Sequence, residues 1–283
     1  KRYNIHHWVE LFVERLSESQ QKNNDRLAKQ FEEKTLENLK QDYQSSKERM
    51  LFLDYDGTLV GFFDDPNDSH PDAELIQILE KLAEDPNNRV VVISGRGRDT
   101  LGKWLGDLNI DLICEHGVWL REKGGDWEMI KQLDDQWKRD ILPVLDLYVN
   151  RTPGSFIEEK NYSLVWHYRK VETGLGELRT RELSSHIKYL TNNMPLQVLE
   201  GDMVVEIKDV DVSKGKATTK WLGRFPHDFT MAIGDDTTDE YTFKAVPDEA
   251  YTIKVGQEVS AAKYYVSSHK EVRKLLKELA GIK

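Results

Sequence analysis

Asp54 and Asp56 close the apolar run MLFLDYD and are followed by Gly57 and Thr58. Residues two apart on a strand share a face, but this pair straddles a strand end, where the chain is free to turn. Two carboxylates crowded in water-poor surroundings raise one another's pKa unless a cation neutralises them. The pair fits two chemistries. One is a proton-sharing acid/base pair of the glycosidase or aspartic-protease kind. The other is a hard-metal site in which Mg2+ takes oxygen ligands and holds a phosphate. Distant residues weigh on the choice. TMAIGDDTTDE adds Asp235, Asp236 and Asp239 beyond another apolar run, more carboxylates than a glycosidase pair requires. VVISGR offers the Ser94 hydroxyl to a phosphate oxygen, and SKGKA offers Lys214 as a point charge for a transferring phosphoryl group. Carboxylates, hydroxyl, lysine and Mg2+ together make a phosphoryl-transfer site.

These residues lie far apart in sequence, so the fold must gather them. From Met50 onward, short apolar runs (MLFLDYD, RVVVISG, DLICEHG, TMAIGDD, YTIKV, KYYVSS) alternate with amphipathic stretches such as DAELIQILEKLAED. Strand alternating with helix predicts an α/β core with a mostly parallel sheet covered on both faces. Ligands of such sheets bind at the carboxyl ends of the strands, where the polar residues stand. Between Asp134 and Val212 the pattern is helix, hairpin, helix, hairpin, which predicts a small α+β unit with an antiparallel sheet. We expect a helical N-terminal segment over 1–49, with Trp8, Leu11, Phe12 and Leu16 at helical spacing. The core would span 50–133 and 213–283, with a cap at 134–212 inserted into it.

Composition excludes several classes. The chain has 283 residues and a formal charge of −10, against the basic face that non-specific nucleic-acid binding wants. That charge would also repel an anionic substrate at long range, so a phosphate needs local cations. The single cysteine, Cys114, excludes an internal disulfide framework and fits a reducing compartment. No apolar run approaches the ~18–20 residues of a membrane span, and the charged start is no signal peptide. The expectation is a cytoplasmic protein without nucleic-acid or membrane partners. Cys114 is followed at the sixth position by Leu120, with Arg121 one place too late for a cysteine phosphatase. There is no Walker A loop, and the histidines lack His-Glu-x-x-His spacing, which argues against zinc.

Asp54-x-Asp56-Gly57-Thr58, Ser94, Lys214-Gly215 and Gly234-Asp235-Asp236 with Asp239, in this order, resemble the haloacid dehalogenase phosphatase superfamily. The resemblance implies a Rossmann-like core and a role for each residue. Asp54 would be the nucleophile, giving an aspartyl-phosphate. Asp56 would be the general acid and then the base that activates water, with its backbone carbonyl on Mg2+. Asp235 would complete the metal's protein ligands, with Asp239 or Asp236 behind it. Ser94, Gly95 and Lys214 would hold the phosphoryl oxygens.

Further stretches narrow the resemblance. ISGR, CEHG, the IEEKNYSLVWHYR hairpin, the VVEIK hairpin and GDDTTDE resemble trehalose-6-phosphate phosphatases, from about Met50 to the C-terminal end. That family carries an α/β cap of the C2 type. By resemblance, Glu158, Lys160, Arg169 and Glu206 would bind the glucose ring distal to the phosphate. Arg96, Glu115, His116 and Gly117 would line the same mouth. The chain departs from many relatives in having Asp202, where they carry lysine after the hairpin glycine. The start resembles the tail of a glycosyltransferase-like domain, which implies the C-terminal part of a longer polypeptide in a trehalose-synthesising assembly. Two alternatives stand beside trehalose 6-phosphate hydrolysis. One is another sugar phosphatase of the superfamily, such as a sucrose-phosphate phosphatase. The other is a catalytically silent domain that binds sugar phosphate and regulates partners.

Overall fold

Met50–Leu53 alternate between two hydrophobic layers, and this alternation organises the main sheet. Leu51 and Leu53 join one buried cluster while Met50 and Phe52 join another. Val90 and Val92 against Val91 and Ile93 do the same on the neighbouring strand, as does Met231 against Ala232. Side chains of a strand point alternately to opposite faces, so a strand covered on both sides reads as a continuous apolar run. The computed structural model describes residues 28–63, 68–201 and 203–282. The helix expected around Trp8, Leu11, Phe12 and Leu16 lies outside the described residues, as does Asp202.

The strands of this sheet are β1 (Lys29–Gln30), β2 (Arg49–Asp54), β3 (Asn88–Ile93), β4 (Asp111–Cys114), β5 (Trp119–Arg121) and β6 (Trp127–Met129), continued by β11 (Phe229–Gly234), β12 (Tyr251–Val255) and β13 (Tyr264–Val266). Their spatial order is β1-β13-β12-β11-β2-β3-β4-β5-β6. From β1 to β4 the pairings are parallel, while β5 and β6 add an antiparallel edge. Strand order reverses between β2 and β11, the position where the carboxyl ends of a doubly wound sheet open a crevice. Helix α1 (Glu33–Ser45) follows β1, so the described part of 1–49 holds a short strand as well as a helix. That strand is set by its docking. Lys29 N–H donates to the Lys263 carbonyl, Phe31 N–H donates to that of Tyr265, and the Phe31 ring meets Tyr264 edge-on.

Helices α2 (Ala73–Glu84) and α3 (Arg98–Leu105) connect the strands from β2 to β4. Asp72 caps α2 by accepting from Leu75 N–H, and Leu75, Ile78, Leu79 and Leu82 form its buried stripe. The second sheet, order β7-β8-β10-β9, is antiparallel and comprises β7 (Phe156–Glu159), β8 (Ser163–His167), β9 (Leu196–Gly201) and β10 (Val204–Asp209). Helices α4 (Lys138–Asn150) and α5 (Leu175–Leu190) cover one of its faces. Leu164, Trp166, Val205 and Ile207 pack there against Ile141, Leu145, Leu183 and Ile187. The opposite face therefore carries Glu158, Ser163, Val165, His167, Glu206 and Lys208. Lys131, just before this unit, pairs with Asp209 at the end of β10 and with Asp211 beyond it, tying the two connections together. Helices α6 (Lys214–Arg224), α7 (Asp239–Ala245) and α8 (His269–Leu279) complete the chain. No helix among the described residues is long and apolar enough to cross a membrane.

Candidate active site

Position 54 shares the face of Met50 and Phe52, the side on which Trp221 and Ala217 of α6 pack. Asp54 is thereby aimed at the first turn of α6, where Lys214 stands. Lys214 Nζ donates to Asp54 Oδ1 at 2.6 Å and to Asp239 Oδ1 at 2.8 Å. A lysine in a helix's first turn opposes the helix dipole, and this one is 2% exposed. The two aspartates compensate for both penalties. Burial works against the ammonium, but Asp239 and Asp54 outweigh it and hold its pKa above the ordinary lysine value.

Asp239 binds more than the lysine. Its other oxygen accepts from the backbone N–H of Asp235 and of Asp236, which fixes the loop after β11. Thr58 Oγ1 donates to Asp235 Oδ1 at 3.3 Å. Gly57 makes that approach possible: its φ is +79°, and a Cβ there would lie 2.2 Å from Asp235 Oδ2. Lys254, buried at the end of β12, donates to the Asp235 carbonyl. Carboxylate oxygens of Asp54, Asp235 and Asp239 lie within 4.8 Å of one another. Burial, and then Asp239, push the Asp54 carboxyl up, and the same causes take Asp235 to about 6. One lysine does not neutralise three crowded carboxylates, two of them buried, and an all-oxygen donor set of this charge fits Mg2+. The Asp56 side chain lies outside that cluster. Arg96 grips it with two prongs, Nε to Oδ2 at 2.8 Å and a terminal nitrogen to Oδ1 at 2.7 Å, while stacking over Trp104.

Asp54, Asp56, Gly95, His116, Lys214 and Asp235 line one cavity of about 310 Å³. Phe62, Asp236 and Thr238 complete its wall. Ser94 is fully buried behind Gly95, and its hydroxyl accepts from Arg96 N–H at 3.1 Å. Glu115 and His116 both have left-handed backbone, at φ 49° and 54°. This turn holds the His116 ring so close over Gly95 that a Cβ there would lie 2.5 Å from Nε2. Gly95→Ala is therefore expected to lower stability by about 1–3 kcal/mol, the usual penalty of overpacking, as measured by urea unfolding. Unchanged stability would mean that His116 is free to move aside. Gly117 is buried against the Ser213 carbonyl.

The second sheet meets the core through its helix-free face. Lys160 Nζ donates to the Gly95 carbonyl at 3.0 Å, and Glu206 Oε2 lies 3.5 Å from His116 Nε2. Burial and the neighbouring Lys208 push the His116 pKa well down, with Glu206 opposing them. Burial opposes the Glu206 charge too, but Lys208 foremost holds its carboxyl well below the usual range. Glu158 Oε2 lies 2.9 Å from His167 Nε2, and His167 stacks on Phe156. Glu115 Oε2 is buried with no hydrogen-bond partner. Arg169 continues the alternation of Val165 and His167, but β8 has ended, and it lies exposed in the following turn, outside the cavity wall.

Sequence reasoning missed Phe62, Lys208 and Lys254. Phe62 is 67% exposed although it lines the cavity, an aromatic placed directly after the Asp54–Thr58 loop. Lys208 had a readable signal: it stands two residues from Glu206 on one strand, and so on one face. The cavity gathers carboxylate, ammonium and a metal-fitting cluster, and Lys160 and Glu206 of the sheet face touch two of its wall residues, Gly95 and His116.

The chain is similar to known proteins. The family model described as trehalose-phosphatase matches residues 52–278. A bifunctional trehalose-6-phosphate synthase/phosphatase from Thermoproteus tenax is 37% identical over 249 residues, covering 88% of this chain and 34% of that protein. The chain spans about a third of the length of the curated relatives it matches. Among solved structures, the C-terminal domain of C. albicans trehalose-6-phosphate phosphatase aligns with a TM-score of 0.83 at 27% identity, over 88% of this chain and 97% of that one. A haloacid dehalogenase-like hydrolase from B. subtilis aligns with a TM-score of 0.60 at 14% identity, over 81% of this chain and 99% of that one. That likeness shows the shared fold.

Proposed function

The chain belongs to the trehalose-phosphatase family, a family of phosphatases, and from that premise we propose that it hydrolyses trehalose 6-phosphate to trehalose and phosphate. One observation carries the proposal: Asp54, Asp235, Asp239 and Lys214 converge under a sheet face that presents Glu206 and Lys160. Lys214 holds Asp54 Oδ1, leaving the second oxygen to attack phosphorus. The P–O bond to the sugar breaks as the P–O bond to Asp54 forms, and the leaving alkoxide takes a proton from Asp56. Asp56 then takes a proton from the water that attacks the aspartyl-phosphate, which restores both residues. The two-pronged Arg96 contact holds Asp56 as a carboxylate, so Asp56 must leave Arg96 and take up a proton before it serves as the acid. Asp54, Asp235 and the Asp56 backbone carbonyl would hold Mg2+, with Asp239 fixing the Asp235 loop from behind. When bound, Mg2+ supplies positive charge to the phosphoryl oxygens and to the crowded carboxylates.

Recognition of the leaving group falls to the second sheet, which acts as a cap. A sugar's hydroxyls each want a polar partner, and Glu158, Lys160 and Glu206 offer them, with Glu115 and His116 across the cavity. Ser94 and Gly95 would carry the phosphate loop, and Arg169 stands in the turn that follows β8. The bifunctional relatives support a synthase domain as the source of substrate. The buried, unbridged Cys114 supports action in the cytoplasm.

Phosphate release from a panel of sugar phosphates, with and without Mg2+, tests the proposal. Preference for trehalose 6-phosphate supports it. Preference for sucrose 6-phosphate would transfer the assignment to that sugar, and no release from any ester would favour a silent binding domain. Glu206→Gln is expected to lower kcat/KM on trehalose 6-phosphate by about 10–150-fold, the worth of hydrogen bonds to a charged group. Turnover of p-nitrophenyl phosphate should hardly change, and equal losses on both esters would move sugar recognition elsewhere.

A further inference from the structure

We infer that Lys208 is a positioning residue for sugar recognition, the buried ammonium that keeps Glu206 ionised and aimed out of the cap sheet. The inference rests on the function proposed above and assigns part of its specificity to a residue outside the cavity wall. Lys208 is 2% exposed and follows Glu206 at the next position of the same face of β10. Its Nζ lies 3.4 Å from Glu206 Oε2, the oxygen that also faces His116 Nε2.

Packing gives no reason for a lysine there. Lys208 stands on the face opposite the apolar helix-covered one, yet it is 2% exposed, and a buried ammonium is unfavourable unless a partner compensates it. Burial does push the Lys208 pKa down, with Glu206 opposing the shift. The other charged or titratable groups on this face do not substitute for it. Burial and Lys208 itself disfavour charge on His116, His167 faces Glu158, Lys160 donates to the Gly95 carbonyl, and Lys214 is held by Asp54 and Asp239. Glu115 and Glu158 carry the wrong sign. Without Lys208, Glu206 would have to take up a proton or swing toward Lys160. Either change removes a carboxylate that accepts hydrogen bonds from sugar hydroxyls, while the phosphate end of the cavity stays as it is.

The test compares kcat and KM on trehalose 6-phosphate and on p-nitrophenyl phosphate for the wild type, Lys208→Met, Lys208→Arg, Glu206→Gln and the Glu206→Gln/Lys208→Met double variant. Lys208→Met is expected to lower kcat/KM on the sugar phosphate by about 30-fold, through KM, and to leave the aryl phosphate within about twofold. Lys208→Arg should restore most of the loss. The double variant should be no worse than the poorer single variant, because both changes remove one unit. Wild-type behaviour of Lys208→Met, equal losses on both esters, or losses that multiply in the double variant would each overturn the inference. If Lys208→Met fails to fold, Lys208→Gln carries the same comparison. The wild-type arm judges the proposed function separately. If another sugar phosphate is preferred, the named substrate falls and the same ratios on the preferred ester judge Lys208. If no sugar phosphate is preferred over the aryl ester, both fall.

Discussion

Asp54→Asn is expected to lower phosphate release by about ten-thousandfold or more, the scale seen when a nucleophile is removed, while the protein stays folded. An amide nitrogen or oxygen in place of the carboxylate does not attack phosphorus. The fold should tolerate the change for a definite reason. Lys214 keeps its second partner, Asp239, at 2.8 Å, so no buried ammonium is orphaned. The substitution also removes one of the crowded carboxylates whose burial beside Asp239 is unfavourable. Kinetics on trehalose 6-phosphate and thermal melting of the same sample check both halves. Near-normal turnover would remove Asp54 from the nucleophile's role, and an unfolded variant would mean that its structural part had been underestimated.

Stripping divalent ions should have the next largest effect. Metal neutralisation of developing phosphoryl charge is worth several kcal/mol, so turnover in chelator should fall about a thousandfold and return with added Mg2+. A second readout does not depend on turnover. Ligand bound only by the folded state stabilises it, by about 2.7 kcal/mol at a hundredfold excess over Kd. Mg2+ should therefore raise the melting temperature of the wild type. Asp235→Asn, which removes one carboxylate of the cluster, should weaken that shift. Full activity in chelator, or no thermal response to Mg2+, would contradict a metal role for these residues.

The core was legible in the sequence because it is covered on both faces. MLFL, VVVI and TMAI read as strands without knowing their partners, and the order of helices between them makes the sheet parallel. Two edges were not legible. β5 and β6 are three-residue strands joined through Lys123–Gly125, too short for periodicity to mark. β1 consists of Lys29 and Gln30, and only its pairing with Tyr264 and Tyr265 makes it a strand.

The site divides in the same way. Asp54, Asp56, Lys214, Asp235 and Asp239 stand in motifs whose spacing follows from strand ends and helix starts, so local sequence gives them away. Lys208 and Phe62 depend on tertiary placement. A lysine in a hairpin reads as a solvated residue until another unit covers its face, and here the turn carrying Glu115 and His116 does so. An exposed phenylalanine reads as ordinary surface until a cavity opens beside it. Arg169 is the opposite case, since its alternation with His167 places it on the right face, but the strand stops short.

The central claim is that Asp54 accepts the phosphoryl group. Rapid quenching during turnover of trehalose 6-phosphate, followed by borohydride, reduces an acyl phosphate to an alcohol and turns the modified aspartate into homoserine. Peptide mass spectrometry should find homoserine at position 54, dependent on substrate and Mg2+, and absent from Asp54→Asn. Intact aspartate at position 54 throughout steady turnover, or homoserine at any other position, would contradict the account.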